Sequence, residues 1–260
     1  QKIDEKYPRL SKGQKKLADY IRQEYDKAAF LTAAKMGEVV GVSESTVRRD
    51  INELDEMGKL KKVFGGAIGL KRPVNTKEDD VVTKASAHVR EKDAIARYAA
   101  GLIRDDDAIF IDAGTTTERM TEYIANKNAV YMTNGILHAQ KLAQRGFKVN
   151  IVSGMVKKAT LSIVGAGAAK SLSNLNFTKC FMGANGIDLE KGFTTPDMDE
   201  ALIKEEIVNH SNDVYILADS SKFEQVFAVT FTKLKGKCII TDRLDNDLYR
   251  KHAIVKEVNK

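Results

Sequence analysis

The sequence lacks the long apolar run and the leader segment that membrane-spanning or secreted proteins carry. No stretch approaches the ~18 apolar residues that a spanning helix needs, and the first residues do not have the basic, apolar, small-residue order of a signal peptide. Only two cysteines occur, Cys180 and Cys238, far apart in apolar segments. We therefore expect buried, reduced thiols and a cytoplasmic protein with no membrane partner.

Signatures of metal and nucleotide chemistry are also lacking. The four histidines are scattered along the chain, each cysteine stands alone, and no G-x-x-x-x-G-K-[ST] loop occurs. The sequence therefore predicts no metal site and no bound cofactor, and it does not indicate nucleotide hydrolysis.

Basic charge is concentrated in the first quarter of the chain. Residues 1–72 contain 16 lysines and arginines against 11 aspartates and glutamates, so they hold +5 of the net charge of +6. A basic module joined to a nearly neutral one is typical of a nucleic-acid-binding domain with a second domain. A solvated basic surface would give the same count, so the charge distribution alone does not establish a nucleic-acid-binding domain.

The basic segment has the pattern of two helices, a glycine turn and a hairpin. A short helix is predicted over residues 32–40, Gly41 breaks it, and Ser43 is a good N-cap for the next helix. Residues 60–64 and 67–70 then read as two strands joined by a Gly65-Gly66 turn. The apolar stripe of the second helix consists of Val47, Ile51 and Leu54.

A helix-turn-helix followed by such a hairpin is the winged form of a DNA-binding domain, whose second helix enters the major groove. Arginine pairs with guanine edges, asparagine pairs with adenine edges, and hydroxyl groups and lysines suit phosphates. The alternative is a helical pair whose charged face is only solvated. The candidate DNA-binding residues are Ser43, Ser45, Thr46, Arg48, Arg49, Asn52, Lys61 and Lys62.

Residues 40–68, VGVSESTVRRDINELDEMGKLKKVFGGAI, closely resemble the helix-turn-helix and wing of the DeoR family of sugar-metabolism repressors. The combination of VS-x-x-TVRRD, L-x-x-x-G-x-L and GGA carries this likeness. Within residues 7–36, YPRLSKGQKKLADYI and FLTAAKMG are instead similar to the start of RpiR-type sugar-phosphate regulators.

The rest of the chain alternates short apolar runs with helical segments. This pattern predicts βαβ units and a mainly parallel sheet covered on both faces. The candidate strands are Ala108–Asp112, Val130–Thr133, Val149–Val152, Cys180–Ala184, Val214–Asp219 and Cys238–Thr241. We predict an α/β protein with a winged helix-turn-helix domain at residues 1–70, a linker at 71–84 and a mainly parallel α/β domain at 85–260.

Small polar residues follow several of these strands, and the carboxyl ends of parallel strands share one edge, the usual ligand crevice. Glycines let a ligand approach the backbone, hydroxyls and helix amides bind phosphate, and Asp or Asn accepts sugar hydroxyls. Each such turn taken singly is also explained as a helix cap. The candidate effector-binding residues are Asp112, Gly114, Thr115, Thr116, Thr133, Asn134, Gly154, Gly183, Asn185, Asp188, Lys204, Asp219, Ser220, Ser221 and Lys222.

The motifs DAGTTT, MTNG, FMGANGID, DEALIK and ADSSKF resemble, in this order, those of the DeoR sensor domain, so the likeness covers about residues 40–242. It implies a fold similar to that of ribose-5-phosphate isomerase and a phosphorylated sugar or sugar alcohol as effector. It also implies repression of a sugar-utilisation operon that the effector relieves. Two positions depart from the usual pattern: Thr178 stands where an acidic residue is common, and Ser153-Gly154 replaces a Gly-Gly pair.

The main alternative is a sugar-phosphate isomerase fused to a DNA-binding domain. Isomerisation needs a general base, and those isomerases present acidic groups in a GADE strand end. Here the matching residues 183–186 read Gly-Ala-Asn-Gly, with Asp188 as the nearby acid. Because an amide is no base, we predict a regulator rather than an enzyme. Helix-turn-helix modules pair across half-sites, so we expect a homodimer or tetramer on double-stranded DNA.

Overall fold

The computed structural model describes residues 11–24, 31–57, 60–69, 73–77 and 80–258. The chain divides into two compact units between Arg72 and Pro73. The first unit consists of α1 Lys12–Glu24, β1 Leu31–Thr32, α2 Ala33–Val40, α3 Glu44–Glu56, β2 Leu60–Val63 and β3 Gly66–Gly69.

The connection between α2 and α3 has helix-turn-helix geometry. Gly41 ends α2 in the left-handed region at φ 77°, where a residue without Cβ avoids a steric penalty. Ser43 begins α3, because its Oγ accepts a hydrogen bond from the Thr46 amide at 3.2 Å. The predicted apolar stripe is confirmed, since Val47, Ile51 and Leu54 are buried against α1 and α2 residues such as Leu17, Ile21 and Met36.

The wing is a small antiparallel sheet in the order β1–β3–β2. Its turn differs by one residue from the predicted Gly65-Gly66 turn, because Gly66 pairs with Val63 and leaves Phe64 and Gly65 at the tip. Gly65 has φ 80°, and the Phe64 side chain is fully exposed. The prediction that Phe64 continues the strand is therefore wrong.

The second unit is an α/β domain. Its helices are α4 Val81–Ser86, α5 Val89–Ala100, α6 Thr115–Tyr123, α7 Ile136–Gln144, α8 Ala166–Leu172 and α9 Met198–Asn209. Its main sheet contains β5 Ala108–Ile111, β6 Val130–Thr133, β7 Val149–Ile151, β10 Phe177–Gly183, β13 Ser211–Leu217, β16 Cys238–Thr241 and β17 Ile254–Glu257. Smaller sheets contain β4 Val74–Asn75, β8 Met155–Lys157, β9 Ser162–Val164, β11 Gly186–Asp188, β12 Gly192–Thr195, β14 Val226–Phe227 and β15 Val229–Thr232. Short 3-10 turns lie at Ser220–Lys222 and Asp247–Lys251.

Within the described residues the main sheet has the order β17–β16–β13–β10–β5–β6–β7, and all its pairings are parallel. This confirms the predicted parallel sheet, although β17 is not among the predicted strands. The chain winds outward from β5 in one direction and from β10 in the other. The boundary between these two strands is a topological switch point, where parallel α/β sheets bind ligands at their carboxyl ends.

Alternate residues of the central strands enter two separate cores, as the period of a strand requires. Ile109 and Ile111 pack with α5, α6 and α7, whereas Phe110 packs with α8, α9 and the β11–β12–β15 sheet. The sheet is thus covered on both faces. Cys180 is buried in the second of these cores and Cys238 is half-buried, and neither forms a disulfide.

The segment predicted as a linker, residues 71–84, contains regular structure. Val74 pairs in parallel with Val226, and the Asn75 side-chain amide donates to Gln225 Oε1 at 3.1 Å. Helix α4 begins at Val81. These elements lack a recognisable period because α4 buries no side chain and β4 has only two residues. Residues from Pro73 onward therefore pack as part of the second unit.

Candidate functional site

The candidate DNA-binding residues lie on α3, from its N-cap Ser43 to Asn52, and on β2 of the wing. Ser43, Ser45, Arg48, Arg49, Asn52, Lys61 and Lys62 are exposed, and Thr46 is half-buried. The apolar stripe of α3 faces inward, so this polar face is available to solvent. The structure therefore brings the predicted residues of α3 onto one helix, with the two lysines on the neighbouring strand. Their contact with DNA stays a prediction.

Several of these candidate side chains form hydrogen bonds or ion pairs with neighbouring residues of α3. The Arg48 guanidinium donates to Glu44 Oε1 at 2.5 and 3.0 Å, and Arg49 lies 3.6 Å from the carboxylate of Asp50. Burial raises the pKa of Asp50 above its ordinary value, and the Arg49 charge opposes this effect. The Ser43 hydroxyl, besides capping α3, lies 2.8 Å from the Thr46 hydroxyl.

Two acidic residues of α3 with a positioning role escaped the sequence reasoning. Glu53 accepts a hydrogen bond from the Gln14 side chain of α1 at 2.5 Å, and Asp55 accepts one from the Lys62 amide of β2 at 2.9 Å. They tie α3 to the first helix and to the wing. The sequence does carry a sign of this role. Carboxylates in solvent on a helix that binds DNA would be repelled by phosphate, so their presence on α3 indicates contacts within the protein.

A cavity opens at the carboxyl ends of β5, β10 and β13, beside the switch point. Its wall is completed by residues from five helices, namely α4, α5, α6, α7 and α9. Of the candidate effector-binding residues, those that line it are Asp112, Gly114, Thr115, Thr116, Gly183, Asn185, Lys204, Asp219 and Lys222.

Asp112 and Lys204 form a buried ion pair in the floor of this cavity. The Lys204 ammonium donates to Asp112 Oδ2 and also to the Gly183 carbonyl at 3.0 Å. Asp112 Oδ2 accepts a further hydrogen bond from the Gly183 amide at 2.9 Å. Both side chains are about as inaccessible as core residues, at 2% and 5% exposure. The pair thus fastens β5, β10 and α9 together at the switch point.

Lys92 of α5 is a cavity residue that the sequence reasoning missed. Its side chain is 3% exposed and donates to the backbone carbonyl of Lys84. Burial lowers the pKa of Lys92 to about 8, the Asp219 carboxylate opposes this shift, and Lys222, Arg119 and Lys84 add to it. Its spacing in the sequence indicates burial, because this lysine occupies the first position of the apolar stripe of α5.

Asp219 follows β13 and is 1% exposed. Its Oδ1 accepts hydrogen bonds from the Ser221 amide at 3.1 Å and from the Ser221 hydroxyl. Across the part of the chain that the structure describes, no hydrogen-bond donor reaches its Oδ2 atom. A buried carboxylate oxygen without a donor is costly, so this atom is suited to a donor supplied by a ligand.

The amino terminus of α6 faces the cavity through Thr115 and Thr116. Its N-cap, Gly114, has no side chain with which to satisfy the first amides of the helix. His138 of α7 lies behind this terminus, with Nε2 3.1 Å from the Thr117 hydroxyl. Burial lowers the pKa of His138 to about 3, so the ring is neutral at physiological pH. Gly135 makes room for it, since a Cβ there would lie 2.3 Å from His138 Nδ1.

Glu200 of α9 is a second missed cavity residue. Its Oε1 accepts from the Lys157 ammonium at 2.9 Å and from the Thr160 hydroxyl at 3.0 Å, and its Oε2 lies 3.4 Å from the Thr195 hydroxyl. Thr195 also donates to Asn185 Oδ1 at 3.2 Å. The sequence predicts Asp188 as the acid beside residue 185. The carboxylate that shares a hydrogen-bond partner with Asn185 is instead that of Glu200.

The remaining candidate effector-binding residues lie outside the cavity lining. Thr133 accepts from the Gly135 amide at 3.0 Å, and Asn134 joins the Ala113 amide at 2.8 Å to the Ile163 carbonyl at 3.3 Å. Asp188 accepts from the amides of residues 190 and 191 in the β11–β12 turn. These contacts position backbone around the cavity, and direct binding of an effector by these side chains stays a prediction.

Gly154 and the two serines after Asp219 also have structural neighbours. Gly154 adopts φ 154° in close contact with Ile163 and Ala168. Ser220 donates its amide to Asp242 at 2.7 Å and its hydroxyl to the same carboxylate at 3.1 Å. The hydrogen bonds of Ser220 and Ser221 therefore shape the 3-10 turn that presents Lys222 to the cavity.

In the described ranges no group of three or more His, Cys, Asp or Glu side chains is placed to hold a metal ion. Nor does any described helix combine the length and apolar character needed to cross a bilayer.

Comparison with known proteins bears on both units. The family model for the DeoR C terminal sensor domain matches residues 87–243, and the model for the DeoR-like helix-turn-helix domain matches residues 14–72. The second match includes most of residues 7–36, the stretch that resembles RpiR-type regulators. Residues 7–10 and 25–30 of that stretch lie outside the described residues.

Similar proteins include the uncharacterized HTH-type transcriptional regulator FruR of Bacillus subtilis, 38% identical over 224 residues that cover 85% of this chain and 88% of that protein. The lactose phosphotransferase system repressor of Staphylococcus epidermidis is 32% identical over 240 residues, or 91% of this chain and 94% of that protein. Among solved structures, ribose-5-phosphate isomerase A from Methanocaldococcus jannaschii has a TM-score of 0.38 at 14% identity, covering 51% of this chain and 53% of that one. The family matches and the extent of the likeness to FruR show that this chain belongs to the DeoR family of helix-turn-helix transcriptional regulators.

Proposed function

We propose that this regulator represses a sugar-utilisation operon and that the cavity of its second unit binds the phosphorylated sugar or sugar alcohol that relieves repression. The observation that carries the effector class is the composition of the cavity. It combines buried ammonium groups, a helix amino terminus without a side-chain cap and a carboxylate oxygen without a donor among the described residues. The name of the lactose phosphotransferase system repressor agrees with a repressor of sugar metabolism.

The charges of the cavity favour an anion. The carboxylates of Asp112, Glu118 and Glu200 are matched by lysine partners. Lys92 and Lys222 then share Asp219 as the remaining carboxylate of the lining. The lining as a whole holds four lysines and four carboxylates, so the positive charge is local to the end where Lys92 and Lys222 lie. A phosphate dianion would offset this local charge, and the uncapped amides of α6 provide donors for its oxygens.

The same cavity favours a polyol attached to that anion. Asp219 Oδ2 needs a donor, and a sugar hydroxyl is a donor of suitable size. The side-chain amide of Asn185 also lines the cavity and provides both donor and acceptor groups. A sugar phosphate would therefore match both sets of groups: its phosphate would match the basic side chains, and its hydroxyls would match Asp219 and Asn185.

The DNA side of the proposal rests on α3 and the wing. We propose that α3 enters the major groove with Arg48, Arg49 and Asn52 toward base edges, while Lys61 and Lys62 contact the backbone. Two copies are needed to cover two half-sites. Light scattering should therefore show a homodimer or a tetramer at micromolar concentration, and a monomer both with and without operator DNA would contradict this assembly.

A second candidate function, sugar-phosphate isomerisation, is favoured by Glu200 because a carboxylate in the lining is a potential base. Its Oε1 oxygen already accepts hydrogen bonds from Lys157 and Thr160, so these partners compete with a substrate proton for this oxygen. Asn185 carries an amide at the matching strand end. We therefore favour binding without turnover.

One experiment separates these functions. Triose, pentose and hexose phosphates, each with its dephosphorylated form, are titrated into the full chain by calorimetry and followed by NMR for hours. We expect one phosphorylated compound to bind unchanged, to stabilise the second unit by about 2.7 kcal/mol at a hundred times its Kd, and to release operator DNA. Lys222→Met should abolish this response, whereas Lys170→Met, an exposed lysine of α8, should not. Equal binding of the dephosphorylated forms would exclude the phosphate site, and turnover would establish the isomerase.

A further inference from the structure

Strand β8 and helix α9 both expose apolar side chains of the second unit. The two elements are neighbours, because the Lys157 ammonium of β8 lies 2.9 Å from the Glu200 carboxylate of α9. Apolar side chains that are exposed on adjacent elements are typical of a surface that binds another macromolecule. The β8–α9 surface consists of Met155, which is 62% exposed, Val156 at 52%, Met198 at 74% and Leu202 at 41%.

One edge of β8 has no neighbouring strand, since within the described residues β8 pairs with β9 alone. The Ile163 amide of β9 donates to the Asn134 carbonyl at 2.7 Å, on the side of β9 away from β8. Backbone groups of an antiparallel ladder alternate between its two edges, so Ser162 and Val164 are the residues that bind β8. Val156 lies between their partners, and its amide and carbonyl therefore point to the outer edge.

The usual protection of an edge strand is missing at this edge. Proteins shield such strands with charged side chains, especially lysine, or with proline. The lysine of β8, Lys157, is turned toward α9, where it lies 3.0 Å from the Asp197 carboxylate and close to Glu200. The strand reads Met-Val-Lys and contains no proline. A further strand can therefore pair with β8 at Val156.

We propose that a second copy of this chain docks on the β8–α9 surface, with the two β8 strands paired antiparallel about a two-fold axis at Val156. The proposal rests on the assembly of two copies proposed above and names the surface that they share. A strand is complementary to its own copy in this arrangement, because the Val156 amide of each copy donates to the Val156 carbonyl of the other. The axis is perpendicular to the joined sheet, so both α9 helices lie on the same face of that sheet.

Charged residues around this surface favour a copy of the chain over nucleic acid. Asp199 and Glu205 are exposed on α9, and Lys158 is exposed directly after β8. The two acidic side chains would repel the phosphates of DNA. A surface that holds charges of both signs can instead compensate them against a copy of itself.

Mild oxidation of cysteine variants of the full chain tests the two-fold pairing directly. Val156→Cys should give a disulfide-linked dimer, since the Cα atoms of such a strand pair lie about 5.5 Å apart, a separation that a disulfide spans. Ile254→Cys, at an exposed position of β17 on the edge of the main sheet, is the matched control and should stay unlinked. The unmodified chain reports any reaction of Cys180 and Cys238.

Sedimentation over a concentration series measures the contribution of the surface to assembly. Val156→Arg and Met198→Glu should each weaken self-association at least several-fold, because each places a charge in the apolar joint. Met198 is exposed in the first turn of α9, where a carboxylate suits the helix terminus, so its replacement spares the fold. Ile254→Arg should assemble like the unmodified chain.

The outcomes distinguish this surface from the proposed function. Full assembly of both charged variants, or a covalent dimer from Ile254→Cys but not from Val156→Cys, would overturn the surface and leave the assembly standing. Loss of operator binding by Met198→Glu with unchanged assembly would assign the surface to DNA and also overturn it. If Val156→Cys cross-links and the chain binds neither operator DNA nor a sugar phosphate, the surface stands and the proposed function is wrong.

Discussion

The Arg48 guanidinium lies 2.5 Å from the Glu44 carboxylate, one helical turn earlier on α3. Both side chains are largely exposed, at 60% and 47%, so the pair contributes little to folding. Its importance is electrostatic, because Glu44 places a negative charge at the end of α3 that is proposed to meet DNA. Arg48 must leave this partner or share it when it meets a base or a phosphate.

Replacing Glu44 by Gln is expected to strengthen binding to random duplex DNA, because a repulsive charge is removed and Arg48 is released. The dependence of log K on log salt should become steeper by about 0.9 for one additional phosphate contact. Fluorescence anisotropy across a salt series measures both. Glu122→Gln, which removes a carboxylate paired with Lys141 in the second unit, is the control. An unchanged slope would show that Glu44 does not face the phosphates.

Arg49→Ala is expected to cost about 1–3 kcal/mol on the operator and much less on random DNA, as for an arginine that pairs with a base. Arg48→Ala should behave similarly if it also reads a base. Lys61→Ala should weaken operator and random DNA alike and lower the salt slope by about one. An operator selected from a random duplex pool allows both measurements. Equal losses on the two DNAs for every α3 substitution would exclude base reading.

Asp112→Asn is expected to destabilise the second unit by about 3–5 kcal/mol, because it leaves the buried Lys204 ammonium without its carboxylate. Urea denaturation measures the change. The double variant Asp112→Asn, Lys204→Met removes both charges and should recover most of the loss. A single variant that is as stable as the unmodified chain but no longer binds effector would assign Asp112 to the ligand instead.

The stability of the effector-free protein is expected to depend on Lys92 between about pH 8 and 10.5, the pKa values of this lysine in the folded protein and in its ordinary state. Burial is the main cause of the lowered value. In this window the unfolded chain binds the proton that the folded chain has lost, so the contribution of Lys92 to stability rises with pH. Below pH 8 both states carry the charge and the destabilising effect is complete.

Urea denaturation of the unmodified chain and of Lys92→Met across that window measures the effect. The variant should be more stable at the acidic end, and the difference should shrink as the pH rises. Asp219, Lys222, Arg119 and Lys84 face the same ammonium and are unchanged in the variant, so their own titration largely cancels. A constant difference across the window would show that Lys92 does not titrate there.

The sheet was predictable because its strands are buried on both faces and must be continuously apolar. Ile109, Phe110 and Ile111 show this, since neighbours in sequence enter opposite cores. The acids that end two strands, Asp112 and Asp219, were predictable for the site because strand ends of a parallel sheet meet at one edge. Strand β17 was missed because Ile254 is exposed and leaves no clear apolar run.

Helical contributions to the site were predictable only in part, since Lys204 of α9 was among the candidates whereas Lys92 and Glu200 were not. Lys92 stands three, four and seven residues before Ile95, Ala96 and Ala99, so it lies on a buried stripe. Spacing shows that such a lysine is buried, but only the packing of α5 against its neighbours shows what it faces. Asp188 does not line the cavity, because its carboxylate accepts hydrogen bonds from the amides of the β11–β12 turn, and its contact with an effector stays a prediction.

The cavity beside the switch point between β5 and β10 is completed late during synthesis, because β13 and the 3-10 turn that follow both strands in the chain contribute to it. Among the described residues, the core of the first unit extends from Leu17 to Ala67, whereas the cavity includes Asp112, Asp219 and Lys222. A growing chain has therefore left the ribosome with the proposed DNA-contacting residues of α3 and the wing before the cavity is complete. On the proposed function, a polypeptide released early would meet DNA without the site for the effector.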